Sequence, residues 1–402
     1  MRILVLQESD WVDRGPHQSH HLFERLRQRG HRIRVVDFEV GWQERRNLPA
    51  LSPRRHFVAP HKLVEGAEVE VVRPAVLHLA YIDYASVFVT HSLEIRRQLR
   101  EFRPDVIVGL GLLNAFSGIR QAKRAGVPFV YYLIDELHRL VPQPALSGVA
   151  RVIEQANVRR APLVLSINRA LRDYTIAMGA PRGRTEVLPA GVDLERYAGA
   201  QDGSSVRRRY GLSSEDLVLF FMGWVYPFSG LREVVESLVL GEGREARARL
   251  LVVGKGDSWS DLTRIVEKDA VHDRIKIVDF QPYSEMPSYL AAADVCLLPA
   301  KNVETMRNIV PIKMYEYLAA GKPVIATRLP GLTSEFGEGH GVVYVDGPEQ
   351  IVSKAVDLEQ NGTLNELGAA GRAFVAGNDW NSITDTFESC LTALIDRYGT
   401  RS

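Results

Sequence analysis

VPIKMYEYLAAGKPVIAT, residues 310–327, holds a helix start, a helix stop and a strand within eighteen positions. Pro311 suits the first turn of a helix, where its missing N–H is not needed. Gly321 suits the left-handed position that ends one, and Pro323 opens the apolar run that follows. Lys313 and Glu316 stand three apart, so they share a helix face. The start of such a helix offers free N–H groups and the positive end of a dipole, a natural seat for a diphosphate. Glu316, one turn further in, is placed to accept hydrogen bonds from a ribose diol. From helix chemistry alone, the same pair also reads as an exposed ion pair worth about 0.2–0.5 kcal/mol.

The helix–glycine–strand grammar of this stretch repeats in both directions. Upstream, short apolar runs at 1–6, 31–38, 105–109, 128–133, 162–167 and 186–188 alternate with amphipathic helical stretches such as 18–29. The alternation lapses over 197–214, which is rich in Gly, Ser and Arg, and resumes with runs at 217–222, 249–253, 274–278, 295–298 and 323–326. Short, almost wholly apolar strands separated by helices imply parallel sheets covered on both faces. The expected architecture is therefore α/β, with two doubly wound, Rossmann-like domains. The first covers 1–196, a linker 197–214, the second 215–380, and an amphipathic last helix, 381–402, crosses back to the first domain. In such sheets ligands lie beyond the carboxyl ends of the strands, so a cleft is expected between the domains.

The chain has 402 residues, 46% hydrophobic and 25% charged, a globular balance whose length favours two domains over one. Neither a signal peptide nor an apolar run near the roughly 20 residues of a membrane span is evident. Cys296 and Cys390 are the only cysteines, too few for a disulfide framework or a cysteine-rich metal site. A cytoplasmic protein is expected. The net charge of +1 conceals an uneven division: residues 1–200 hold 29 Lys+Arg against 21 Asp+Glu, and the remainder 21 against 28. The pairs Arg45-Arg46, Arg54-Arg55, Arg96-Arg97 and Arg159-Arg160 are solvated helix faces on one reading. On the other they place the first half near anionic lipid at the inner face of the cytoplasmic membrane. Zinc-knuckle spacing and aromatic-rich basic motifs are missing, so nucleic acid is not an expected partner. His17, His20 and His21 cluster at the first helix without completing a metal site, and they either line an acceptor surface or cap the helix.

Five segments in order carry a family resemblance over nearly the whole chain. These are RGHRIRVVDFE (29–39), VLPAGVDLERY (187–197), FMGWVYPFSGLREVVESL (221–238), VVGKGD (252–257) and VDFQPYSEMPSYLAAADVCLLPA (278–300). With 310–327, where a glutamate precedes a small-residue run and Gly-Lys-Pro-Val, they resemble the retaining glycosyltransferases of the GT-B fold, family 4. The resemblance implies transfer of a hexosyl group from a nucleoside diphosphate sugar to an acceptor hydroxyl, with retention and without a metal or other cofactor. It implies a carbohydrate or lipid-linked acceptor, in glycan, polysaccharide or glycolipid assembly.

Carried over position by position, Glu316 matches the ribose-binding glutamate. Ile309, Val310, Ile312 and Lys313 fall in the diphosphate-binding turn. Gln281 and Tyr283 lie where the family frames the nucleobase. Gly15 matches the N-terminal glycine loop, and Ser229 and Gly230 fall in the C-terminal one. The family's second glutamate, eight positions before Glu316, is Asn308 here. The Arg and Lys of its glycine loop are Trp224 and Ser229, so leaving-group charge must be met by Lys313, Arg307, Lys255 or backbone donors. Asp135 and His138, past the end of the strand 128–133, occupy the expected place for catalytic or acceptor-binding groups. The missing Gly-x-Gly-x-x-Gly after the first strand disfavours a dehydrogenase, and the missing Walker sequence a P-loop enzyme. A sugar-nucleotide epimerase and a catalytically silent sugar-nucleotide binder remain as alternatives.

Overall fold

The computed structural model describes residues 1–12, 16–38, 51–78, 82–141, 143–199, 202–240, 247–268 and 271–399. Gly15 and Arg45-Arg46 lie outside these residues. Two compact units divide the chain, Met1–Ala190 with Trp380–Ser402, and Gly191–Asp379.

Unit 1 runs β1 (Arg2–Leu6), α1 (Gln18–Gln28), β2 (Arg32–Val36), β3 (Leu51–Ser52), β4 (Arg55–Ala59), β5 (Val69–Arg73), β6 (Val76–Leu77), α2 (Ile82–Glu101), β7 (Val106–Gly109), α3 (Leu113–Ala125), β8 (Phe129–Leu133), α4 (Pro144–Arg160), β9 (Leu163–Ser166), α5 (Arg169–Ala177) and β10 (Thr185–Val187). Its main sheet has the order β10-β9-β8-β7-β1-β2-β5-β4, with the direction of winding reversing between β1 and β7. Strands β1, β7, β8 and β9 are buried almost throughout, because helices cover both faces. The sheet is not wholly parallel: β4 pairs antiparallel with β5 at the edge. RHFVA in β4 is mostly exposed and carries charge, which suits an edge strand and hides it from a search for apolar runs.

Unit 2 runs α6 (Ser204–Tyr210), β11 (Leu217–Trp224), α7 (Leu231–Leu240), β12 (Ala248–Lys255), α8 (Trp259–Lys268), β13 (Ile275–Val278), α9 (Met286–Ala292), β14 (Val295–Leu298), α10 (Ile312–Ala319), β15 (Val324–Thr327), α11 (Pro330–Phe336), β16 (Val342–Val345), α12 (Ile351–Gln360) and α13 (Leu364–Val375). Its six described strands are all parallel, in the order β13-β12-β11-β14-β15-β16, with the switch between β11 and β14. One core joins the sheet to α7, α8 and α12 through Leu219, Phe221, Leu250, Val252, Leu262, Ile325 and Val356.

The stretch 197–214 belongs to unit 2 rather than forming a linker. It holds α6, whose Arg207 bonds the Ala292 carbonyl at 2.9 Å and pairs with Asp294 at 2.8 Å. Only Val206 of that helix is buried, so polar contacts rather than an apolar stripe fix it, and composition alone reads as loop. The last helix, α14 (Trp380–Gly399), packs on α1 in unit 1, with Phe387 edge-on to Phe23 and Trp380 stacked on His21. At the boundary Val192 pairs in parallel with Asp379, and its N–H donates to the Asn378 carbonyl at 2.8 Å.

Candidate functional site

The switch point of unit 2 gathers most of the donor-side candidates. Helix α10 starts after Pro311 and ends at Gly321, whose φ is +70°. Tyr317 fixes its height, because its hydroxyl accepts the Met222 N–H at 2.9 Å. Lys322 secures the far end by donating to the Ala293 carbonyl at 2.6 Å.

Lys313, in the first turn, reaches beneath β11, with its Nζ 4.2 Å from the centre of the Phe221 ring. Gly223 makes this possible: a Cβ there would stand 2.7 Å from Nζ, and the backbone has φ +119°. Among the described residues the ammonium has no carboxylate within bonding distance. Burial brings its pKa down to about 8, with Glu316 opposing the shift. A cation so placed, in no direct ion pair and beside the free amides of a helix start, is poised for an anion.

Glu316 is buried. The Tyr283 hydroxyl donates to its Oε1, and the Tyr197 hydroxyl lies 3.5 Å from the same oxygen. Oε2 takes no hydrogen bond among the described residues, yet it is not sealed from solvent. Arg196 lies over the Tyr283 ring, 4.5 Å from its centre. Burial raises the carboxyl above its ordinary range; Tyr283, Lys313, Arg196 and Tyr197 pull it back, in that order.

The glycine loop between β11 and α7 is pressed against the segment after β14. A Cβ on Gly230, at φ +71°, would stand 1.8 Å from the Pro299 carbonyl oxygen. Ser229 is buried, with its N–H on the Tyr226 carbonyl at 3.0 Å. Trp224 donates from Nε1 to Asp257 at 3.3 Å and packs near Tyr226 and Phe280, with ring centres 6.3 and 6.4 Å away. Aromatic surface thus stands where the family has an arginine.

The other candidates scatter around this core. Lys255 is exposed at the end of β12. Arg307 is exposed, 4.0 Å from Glu304. Asn308 and Ile309 are half-buried and Val310 buried, in the turn leading to Ile312. Gln281 bonds back to the carbonyls of Asp279 and Phe280, within its own loop. Tyr283, expected beside a nucleobase, places its hydroxyl on Glu316.

Unit 1 holds the second cluster, beyond the carboxyl end of β8. Burial, reinforced by Glu136, pushes the Asp135 carboxyl up to about 7. His138 is buried, its Nδ1 2.7 Å from Glu154 Oε2, and its N–H bonds the same oxygen at 3.2 Å. Tyr174 completes the set, its hydroxyl 3.2 Å from Glu154 and 3.1 Å from His138 Nδ1. Holding one ring nitrogen on a carboxylate fixes the imidazole and directs Nε2 away from it. Glu8 acts similarly on a helix, since it accepts the Asn114 N–H at 2.6 Å and caps α3 from a distant loop.

The histidine trio serves α1 itself. The His17 N–H bonds His20 Nδ1 at 3.1 Å, and His20 Nε2 meets the Trp11 carbonyl at 2.9 Å. Burial lowers His20 to about 3, so the ring is neutral. His21 stacks on Trp380. The helix-capping alternative therefore fits, and lining an acceptor surface does not fit for buried His20 and His21. Among the described residues no group of three His, Cys, Asp or Glu side chains could hold a metal ion.

Sequence reading missed Tyr197, Arg196, Glu154, Tyr174 and Glu8. Of these, Arg196 and Tyr197 alone had a signal, since they close the family-like segment 187–197.

Residues 15–191 match the family described as Glycosyl transferase 4-like domain, and residues 216–361 match Glycosyl transferases group 1. The chain belongs to glycosyltransferase family 4. This glycosyltransferase is 27% identical to the D-inositol 3-phosphate glycosyltransferase of Streptosporangium roseum, over 65% of its own length and 62% of the relative's. It is 27% identical to the 2-deoxystreptamine glucosyltransferase of Streptomyces kanamyceticus, over 72% and 75%. Its fold is that of HepE from Anabaena, solved in complex with UDP-glucose, with a TM-score of 0.74, 17% identity and coverage of 98% and 100%. Sucrose-phosphate synthase from Thermosynechococcus elongatus gives a TM-score of 0.75 at 16% identity, covering 98% and 99%. Both are GT-B enzymes, and at these identities the likeness is one of fold.

Proposed function

We propose that this glycosyltransferase moves a hexosyl group from a nucleoside diphosphate sugar to an acceptor hydroxyl with retention, unaided by metal. The observation that carries the reading is the pairing, on one helix turn, of a Lys313 with no carboxylate within bonding distance among the described residues and a Glu316 that keeps one oxygen open. Glu316 Oε2 accepts from the ribose diol. The diphosphate settles on the first N–H groups of α10 with Lys313 beside it, while Ile309, Val310 and Ile312 shape the turn. As the bond from the anomeric carbon to the diphosphate lengthens, charge gathers on the leaving oxygen, and these fixed donors stabilise it. One such donor contributes about 2.7–4 kcal/mol. Asn308 offers an amide to a sugar hydroxyl, and Gly230 lets the loop approach closely. Asp135 and His138 face the acceptor, with Glu154 behind the imidazole.

The deciding experiment combines thermal-shift screening of nucleotide sugars with product analysis. A donor that binds the folded state raises Tm by mass action. The expected result is transfer or slow donor hydrolysis with retained anomeric configuration, unchanged by EDTA. Loss of activity on chelation, or an inverted product, overturns the metal-free retaining mechanism. Glu316→Ala should weaken donor binding in calorimetry, and unchanged affinity would remove Glu316 from the site.

The acceptor reading is a lipid-linked or polymeric saccharide at the cytoplasmic membrane face. On α2 the solvent-facing stripe carries Phe88, Val89 and Leu93, then Arg96, Arg97 and Arg100. Apolar anchors beside arginines fit an anionic bilayer surface. No described helix is long and apolar enough to cross a membrane. Flotation with anionic vesicles at low salt tests this: Phe88→Ser with Leu93→Ser should release the protein, and failure of the wild type to bind refutes it.

A further inference from the structure

Two tyrosine hydroxyls meet at Glu316, one on the buried Tyr197 and one on the half-buried Tyr283. Tyr197 comes from the turn 195–197 and Tyr283 from the turn after β13, 33 residues before Glu316 in the chain. Both converge on Oε1 and neither on Oε2. Arg196, next to Tyr197, lies over the Tyr283 ring and stands 3.9 Å from Asp193.

A carboxylate on a helix has freedom about its terminal torsion, which is broad and roughly two-fold. A ribose diol needs that plane fixed. Two hydroxyls on one oxygen fix it, and the cation–π contact of Arg196 holds the ring that supplies the shorter bond. We infer that Tyr283, backed by Arg196 and Tyr197, positions Glu316 so that Oε2 meets the ribose, and thereby sets the preference of the site for ribo- over 2′-deoxyribonucleotides. The inference rests on the ribose role of Glu316 given above.

The same contacts bear on protonation. The charged and titratable groups facing Glu316 are Lys313 and Tyr317 on its own helix, Tyr283, and Arg196 with Tyr197. Tyr283 is the strongest of the four that oppose the upward push of burial. Removing its hydroxyl raises the carboxyl's pKa, and a protonated Glu316 no longer presents an anion to the diol. The acid limb of nucleotide binding must then move to higher pH.

The test uses the full chain and calorimetry between pH 5 and 8. The ligands are the ribonucleoside diphosphate among UDP, GDP and ADP with the largest thermal shift, and its 2′-deoxy analogue. Tyr283→Phe should weaken the ribonucleotide at least fivefold, change the deoxy analogue little, and shift the acid limb upward. At saturating donor, kcat should stay near the wild-type value while KM rises. Should Tyr283→Phe fold poorly, Tyr197→Phe and Arg196→Gln should give the same pattern in weaker form. Wild-type affinity, sugar preference and acid limb in a folded Tyr283→Phe protein, alongside weakened binding in Glu316→Gln, overturn the positioning role and leave the ribose role standing. If Glu316→Gln binds like wild type, or none of the three nucleotides binds the wild type, the ribose reading falls and the inference with it.

Discussion

Replacing Lys313 with methionine removes the ammonium and keeps the aliphatic stem that lies against Phe221. In the free protein the ammonium titrates at about 8. A bound diphosphate demands the charged form, so affinity should be level below pH 8 and fall above it. At pH 9 roughly one molecule in eleven still carries the proton, and binding should be about tenfold weaker than at pH 7, or about 1.4 kcal/mol. The phosphate's own last ionisation, near pH 6, is complete over this window. Lys313→Met should lose the plateau itself, by about 1.5–3 kcal/mol for a hydrogen bond to a charged group, or roughly 10- to 100-fold. Its affinity should be flat from pH 7 to 9.5.

The assay is calorimetric titration with a nucleoside diphosphate at constant ionic strength, in two buffers of different ionisation enthalpy. Wild type should take up about half a proton on binding near pH 8, and the variant none. Stability should move in the opposite sense. The folded-state pKa of Lys313 lies below its unfolded value, so the penalty of burying the ammonium is complete below pH 8 and fades as pH rises past it. Lys313→Met should therefore stabilise the free protein at pH 7, by on the order of 1 kcal/mol after allowance for solvent at a half-buried group, with a matching rise in Tm. A variant that binds like wild type, or that keeps the alkaline fall, refutes the assignment of Lys313 to the diphosphate.

Gly230→Ala should destabilise by about 2 kcal/mol or more in urea unfolding, because the new Cβ meets the Pro299 carbonyl oxygen at 1.8 Å on a left-handed backbone. A change under 0.5 kcal/mol would show that the loop yields. Asp135 holds its proton up to about pH 7 in the folded state, against 3.8 in the ordinary group. Its contribution to stability is complete below the lower value and lost as pH rises through the upper. Asp135→Asn should thus raise Tm at pH 8 by an amount that shrinks toward pH 4, and a pH-independent difference would contradict the assignment. Trp224→Arg, made on Lys313→Met, should recover part of the lost nucleotide affinity. No recovery would mean that position 224 does not face the diphosphate.

The doubly wound pattern was legible because β1, β7, β8, β11 and β14 are runs that a fully covered parallel strand requires, and Pro311 and Gly321 mark the limits of α10 by local chemistry. Strands β3 to β6 were not legible, since an exposed antiparallel edge such as β4 has no apolar run to find. Glu316 and Lys313 were readable from spacing along one helix. Their surroundings were not: Tyr197 and Glu316 are 119 residues apart, and nothing local to either announces the other. Glu154 hides in mid-helix, where a carboxylate ordinarily faces water; only the fold turns it onto His138. The Gly/Ser/Arg composition of 197–214 resembled a linker because α6 is held by arginine contacts rather than by apolar ones.

The paired crossing at Val192 and Asp379 has a consequence for how the protein is made. Unit 2 is an unbroken stretch of chain and has all its strands once residue 379 has emerged. Unit 1 begins at the first residue, yet Phe23 and His21 wait for Phe387 and Trp380. On the ribosome the half that starts first therefore finishes last, with apolar surface of α1 uncovered while nearly 200 residues of the other half are synthesised. Chains cut after residue 379 should fold unit 2 and leave unit 1 prone to association, a vulnerability that a simple head-to-tail arrangement of the same two sheets would not have.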